Sequence, residues 1–188
     1  MPNQVRQGML QFQTWGGRRK GAGRKPAAGK ARLRHVTRPV LKKRFPVHVT
    51  WRMRDGVWRL RRRSCFTALA RAFWGGCNRF GFRLVHYSVQ GNHLHLLVEA
   101  RDERSLSRGM NGLGVRVARG LNRLMRRRGK VLAERYHGHI LKTPTEVRRA
   151  RAYLLGNAYK HLRLAGADPY ASREPVVAPE TFLMRRMC

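Results

Sequence analysis

The stretch Asn92-His93-Leu94-His95-Leu96-Leu97-Val98-Glu99 is the part of this chain best equipped for chemistry. Side chains alternate along a strand, so His93 and His95 share one face and Leu94, Leu96 and Val98 share the other. Two imidazoles on an open sheet face, backed by a dry one, are a candidate pair of metal ligands. The same spacing also describes two ordinary surface histidines. Further along, Tyr153 and Asn157 are four residues apart and therefore neighbours on one helix face, with Leu154 and Ala158 on the adjacent packing face. A tyrosine hydroxyl beside an amide oxygen, brought over two histidines, would be a nucleophile beside a third ligand. Without the histidines, Tyr153 would read as a half-buried aromatic at a helix–sheet contact.

Elements must position these groups, and the apolar spacing switches between period 2 and period 3.6. Phe45 to Met53 is expected to be a strand, with Phe45, Val47, Val49 and Trp51 alternating. Cys65 to Phe80 reads as a helix whose apolar face holds Phe66, Leu69, Ala70, Phe73, Cys77 and Phe80, weakened by Gly75-Gly76. Phe82 to Gln90 is a strand with Phe82, Leu84, His86 and Ser88 on one face and Val85, Tyr87 and Val89 on the other. Gly91-Asn92 is a turn signal, and His93 to Glu99 is the next strand. Ser105 to Arg128 is a long helix with Leu106, Met110, Leu113, Val117, Leu121 and Leu124 as its stripe. Tyr136 to Leu141 is a short strand. Thr145 is expected to cap a helix from Glu146 to about Leu162, where Glu146 suits the dipole. The order β-α-β-β-α-β-α predicts an α+β chain with a ferredoxin-like split β-α-β sheet and an appended C-terminal helix. Two helices should cover one sheet face and leave the other free for a site.

Charge narrows the partner. Of 188 residues, 42 are Lys or Arg and only 9 are Asp or Glu, a formal net charge of +33. Such a chain repels itself and seeks a polyanion. Arg supplies 34 of the 42 cations, and the guanidinium fork matches phosphate oxygens. With so few acids, paired-carboxylate catalysis is excluded as a main theme. No run of apolar residues suits a membrane span, and the start lacks a signal-peptide pattern. Three cysteines, Cys65, Cys77 and Cys188, make neither a disulfide framework nor a zinc knuckle. A reducing, cytoplasmic and nucleoid-associated setting is the expectation. Residues 1–44 read as a basic, disordered arm, 45–166 as the folded domain and 167–188, with Pro169, Pro175 and Pro179, as an irregular tail.

The histidine strand, with Tyr153-x-x-x-Asn157 downstream, resembles the HUH single-tyrosine transposases, and most closely the REP-associated tyrosine transposases. Supporting stretches are Arg79-Phe-Gly-Phe-Arg-Leu-Val-His-Tyr-Ser88, Arg135-Tyr-His-Gly-His-Ile140 and Tyr153-Leu-Leu-Gly-Asn-Ala-Tyr-Lys160. The resemblance covers about Pro46 to Gly166 and implies a ferredoxin-like fold. It further implies a divalent metal, Mg²⁺ or Mn²⁺, held by His93, His95 and Asn157, and Tyr153 as nucleophile. The implied activity is a single-strand DNA endonuclease and strand transferase that forms a 5′-phosphotyrosine on single-stranded or hairpin DNA. One departure is Asn157-Ala158-Tyr159-Lys160, where the family commonly reads Asn-Pro-Val-Lys. It leaves Tyr159 as a rival hydroxyl, six positions on and off the Tyr153 face; Tyr136 is a second rival. Lys160 and His161 could neutralise phosphate charge, or simply form a solvated helix end. Glu99 could stand behind the metal ligands.

Other cations are candidate nucleic-acid contacts. Gly23-Arg24-Lys25-Pro26 resembles an AT-hook core imperfectly and also fits a nonspecific basic tail. Arg61, Arg62 and Arg63 form one cluster, Arg148 and Arg149 another. Arg116, Arg119, Arg123 and Arg127 form a cationic stripe on the long helix, continued by Arg126 and Arg128. Trp58 could stack bases, whereas Trp51 and Trp74 are expected in the core. His137-Gly138-His139 repeats the histidine spacing but without a partner tyrosine, and suits DNA contact or plain exposure. A rival reading of the whole chain is a noncatalytic DNA- or RNA-binding protein with an RRM-like sheet. That reading needs stacking aromatics where His93, His95, Tyr153 and Asn157 are expected.

Overall fold

The computed structural model describes residues 40–43, 45–162, 168–180 and 184. The expected basic arm lies outside these residues except for 40–43, where Leu41 is already buried in the main core and its N–H donates to Glu103 Oε1 at 3.2 Å.

The elements in chain order are β1 (Val47–Arg52), α1 (Arg63–Gly76), β2 (Asn78–Arg79), β3 (Phe82–Val89), β4 (His93–Ala100), α2 (Glu103–Leu124), β5 (His137–Ile140) and α3 (Pro144–Leu162). They form one antiparallel sheet in the order β2-β3-β4-β1-β5. Apart from the two-residue β2, this is the strand order of the ferredoxin-like plan, with α3 appended. No helix among the described residues is long and apolar enough to cross a membrane.

Alternation decides the layers. Val47, Val49 and Trp51 of β1 and Leu94, Leu96 and Val98 of β4 face α1 and α2, where they pack with Leu69, Phe73, Met110, Leu113 and Val117. Asp102 caps α2 by accepting from Ser105 N–H at 2.7 Å, which starts that helix two residues earlier than the apolar stripe alone suggests. Two glycines let α2 lie close to the sheet. A Cβ on Gly109 would collide with the Phe82 ring, and one on Gly114 would sit 2.5 Å from Trp51.

The opposite sheet face is not left free. α3 packs there with Val147, Ala150 and Leu154 against Val85, Leu97 and Leu141, joined by Met184. Its cap is Thr143 rather than Thr145. Thr143 Oγ1 accepts from Glu146 N–H at 3.2 Å, Glu146 Oε2 accepts from Lys142 and Thr143 N–H, and Pro144 takes the first helical position. Thr-x-x-Glu is a reciprocal capping box, and proline is well suited to that first position.

Three further expectations need correction. α1 ends at Gly76, so Phe80 is not on its apolar face but in the β2–β3 turn, 71% exposed. Trp74 is 64% exposed rather than core. β3 does not alternate throughout. Leu84 pairs with Val98 but His86 pairs with Leu97, so Val85 is an extra, bulged residue. The bulge turns Val85 and His86 toward the α3 side together, and Tyr87 and Val89 join Phe82 and Leu84 on the other.

The segment 168–176 is irregular but firmly tied. Val89 N–H donates to Tyr170 O, Ser172 N–H to Tyr87 O and Val176 N–H to Val85 O, so this segment runs along the open edge of β3.

Candidate active site

His93 and His95 emerge on the same face of β4, as alternation requires, with ring centroids 4.8 Å apart and nearly perpendicular. Tyr153, one turn along α3 from the packing residue Ala150, lies half-buried over them. Its ring meets the His95 ring edge-on at 5.1 Å and the His48 ring at 6.0 Å. The α3 core residues hold that helix at the height where Tyr153 reaches the histidines. The folded chain therefore brings together three of the four residues singled out from the sequence. The Asn157 backbone belongs to α3, but its side chain lies outside the described residues, as do those of Tyr159, Lys160 and His161.

Residues from β1 complete the surroundings, and the sequence reading passed over them. The β1–β4 register sets Thr50 opposite His95 and Arg52 opposite His93. Thr50 Oγ1 lies 3.2 Å and His48 Nε2 3.3 Å from His95 Nδ1. His93 Nδ1 is 2.9 Å from Asn92 Oδ1. The signal was present in the sequence. If Val47, Val49 and Trp51 face the core, His48, Thr50 and Arg52 must face the histidines. The β1–β5 register adds His139 beside His48 and His137 beside Thr50, on the same face. His48 is pushed down to about 4, first by burial and then by the nearby charges of His139 and His137. It is therefore a neutral imidazole at physiological pH.

Other expected residues fall elsewhere. Arg61 is engaged inside the fold. Its fork grips Asp168 at 2.7 and 2.8 Å, donates to Val89 O at 2.9 Å and lies 4.3 Å over the Tyr170 ring. That pairing fastens the C-terminal segment to the loop before α1 and leaves the fork committed. Arg62 and Arg63 are exposed, and Arg62 lies 5.2 Å over the Trp58 ring. Arg148 and Arg149 are exposed on α3, the side of the sheet that carries Tyr153. Arg119 and Arg123 are exposed on α2 and Arg116 and Arg127 half-exposed, across the sheet from the histidines. Arg24 and Lys25 lie outside the described residues. Glu99 does not back the histidines. It is four residues along β4 from His95, roughly 13 Å, and accepts from Glu180 N–H at 2.7 Å. Tyr136 is on the far side of the sheet, packed against Trp51 at 6.0 Å, which removes it as a rival hydroxyl.

Among the described residues, no group of three His, Cys, Asp or Glu side chains is arranged to hold a metal. A donor set of two imidazoles and an amide is not of that kind.

Residues 42–147 match the family model described as Transposase IS200 like, more than half of the chain. The chain belongs to this family. The matched span contains the histidine strand and stops short of Tyr153 and Asn157. No curated protein matches the chain. Among solved structures, a REP-associated tyrosine transposase bound to a REP hairpin is similar in fold, with a TM-score of 0.61 and 14% identity, over 75% of this chain and 83% of that one. A transposase-like protein from Deinococcus radiodurans R1 aligns at a TM-score of 0.44 and 16% identity, over 65% of this chain and 94% of that one. An IS200-like transposase is a DNA-processing protein, in keeping with the excess of arginine. An RRM-like binder would need exposed aromatics at the sheet centre. Here the described strands offer His48, Thr50, His93 and His95 there, beneath Tyr153.

Proposed function

We propose that this IS200-like transposase cleaves and rejoins single-stranded or hairpin DNA with Tyr153 as nucleophile. The observation that carries the reading is the Tyr153 ring meeting His95 at 5.1 Å, with His93 a further 4.8 Å along. His93, His95 and Asn157 would hold a divalent cation. The donors suit one. Each histidine has Nδ1 engaged, His93 by Asn92 and His95 by Thr50 and His48, so that Nε2 would be the ligating atom. Imidazole and amide donors suit Mn²⁺ at least as well as Mg²⁺. Bound there, the cation would supply Lewis-acid polarisation of a non-bridging phosphate oxygen.

The chain's own residues do the rest. The helix α3 fixes Tyr153 so that its hydroxyl is aimed by a packed element rather than a loop. The phenolic oxygen bonds to phosphorus and loses its proton, the bond to the 3′ oxygen breaks, and a free 3′-OH leaves a 5′-phosphotyrosine. Because one phosphodiester is exchanged for another, the reverse step can reseal a strand. Arg52, Arg148 and Arg149, exposed on this side, would hold flanking phosphates. The working place of such an activity is the cytoplasm, at the nucleoid.

The test uses wild-type and Tyr153→Phe proteins with labelled hairpin and single-stranded oligonucleotides, in Mn²⁺ or Mg²⁺. An SDS-resistant adduct in wild type, absent in Tyr153→Phe and in EDTA, is the expected result. An adduct that survives Tyr153→Phe moves the role to another hydroxyl. Tight, salt-sensitive binding without an adduct on any substrate turns the reading to a noncatalytic binder.

A further inference from the structure

A concavity of about 270 Å³ opens on the helix side of the sheet, away from the histidines. It lies between the end of α1, the β2–β3 turn and the outer side of α2. Arg79, Arg108, Arg116 and Arg119 line it, together with Phe80 and Gly112. Among the described residues, no carboxylate lines it and none of these arginines makes an ion pair. Four guanidinium groups around one hollow repel one another and invite an anion.

Two local features have no explanation in the fold. Arg79 pairs with Phe82, so Phe80-Gly81 is a two-residue hairpin loop, with φ of 53° and 74°. Both positions need the left-handed backbone, which favours Asn or Gly at the first. A phenylalanine there is a steric outlier, and its ring gains no burial in return, being 71% exposed. Gly112 is also unexplained. It stands inside α2, where glycine weakens a helix, yet a Cβ there would meet nothing within 4 Å. Unlike Gly109, it is not required by packing. Its effect is to keep the floor of the hollow clear.

We propose that this hollow binds a single-stranded stretch of DNA, with a base stacked on Phe80 and the flanking phosphates on Arg79, Arg108, Arg116 and Arg119. An exposed aromatic beside clustered arginines is the chemistry that grips unpaired nucleotides without reading their sequence. The strained Phe80 is retained because its ring is the stacking platform. This second contact lies across the sheet from Tyr153 and is independent of strand cleavage.

The test uses the full chain carrying Tyr153→Phe, in EDTA, so that only reversible binding is read. Anisotropy of a fluorescein-labelled oligothymidylate is followed over a salt series. Phe80→Asn suits the turn and is expected to leave the melting temperature equal or higher while weakening binding about tenfold. The pair Arg108→Ala with Arg119→Ala is expected to lower the slope of log affinity against log salt by about 1.4. An oligonucleotide carrying 5-iodouracil is expected to crosslink to the peptide that contains Phe80. Unchanged affinity in Phe80→Asn, a lower melting temperature in that variant, an unchanged salt slope, or crosslinks confined to the Tyr153 side would each overturn the proposal. Absence of a covalent adduct in the wild-type cleavage test would leave these readings untouched, so the two proposals fail separately.

Discussion

The Thr50 hydroxyl lies 3.2 Å from His95 Nδ1, across the strand pair that sets the two residues opposite each other. The orientation of the His95 ring is thus a property of β1 as much as of β4. A histidine held at one nitrogen presents the other in a fixed direction, and that is what a metal ligand needs.

Thr50→Val keeps the shape of the side chain and removes the hydroxyl. We expect Mn²⁺ affinity, measured by calorimetry on the full chain, to fall about tenfold, with little change in melting temperature. Unaltered affinity would mean that Thr50 does not orient His95, or that the cation is held elsewhere.

Stability should fall as pH drops below neutrality. His48 and His86 are each held at about 4 in the folded chain, below the ordinary 6.5. Burial is the larger cause for both; His139 and His137 add to it for His48, and Arg151 for His86. The unfolded chain therefore takes up protons first. Folding carries no penalty above about 6.5 and loses stability as pH falls from there toward 4. His86→Gln is expected to flatten the melting temperature across that window. A slope as steep as in the parent would remove His86 from the account.

The Arg61–Asp168 pair should behave as a buried ion pair, with side chains only 10% and 1% exposed. Breaking one partner leaves the other charge stranded. Arg61→Ala should cost roughly 3–5 kcal/mol of stability by chemical denaturation, while the salt slope of DNA binding stays as it is. A shallower slope with unchanged stability would return Arg61 to the set of phosphate contacts.

The sheet and its histidines were legible because period-2 alternation is a strong signal with a single geometric meaning. It placed His93 and His95 together and faced Leu94, Leu96 and Val98 the other way. The same signal misled at β3, because one inserted residue, Val85, inverts everything after it and leaves no mark in composition. The engagement of Arg61 was not legible for a related reason. Its neighbours in sequence are arginines, but its partner is 107 residues away, and only the folded chain brings Asp168 to it. Thr143 could have been found from Thr-Pro-Thr-Glu, since the acid three residues after a hydroxyl marks the cap. His48 and Thr50 were readable too, had the polar face of β1 been weighed with its apolar one.

The sheet also acts as a partition. On one side, α1 and α2 share a large core with β1, β3 and β4; on the other, α3 rests on a much smaller one formed around Val85, Leu97, Leu141, Val147, Ala150 and Leu154. The two histidines are anchored in the strands, whereas Tyr153 travels with α3. Loosening the smaller core would lift the hydroxyl from the imidazoles while the strands kept their register. Cohesion of the described domain and assembly of the proposed reactive centre are thus governed by separate sets of side chains, and a substitution can weaken one while sparing the other.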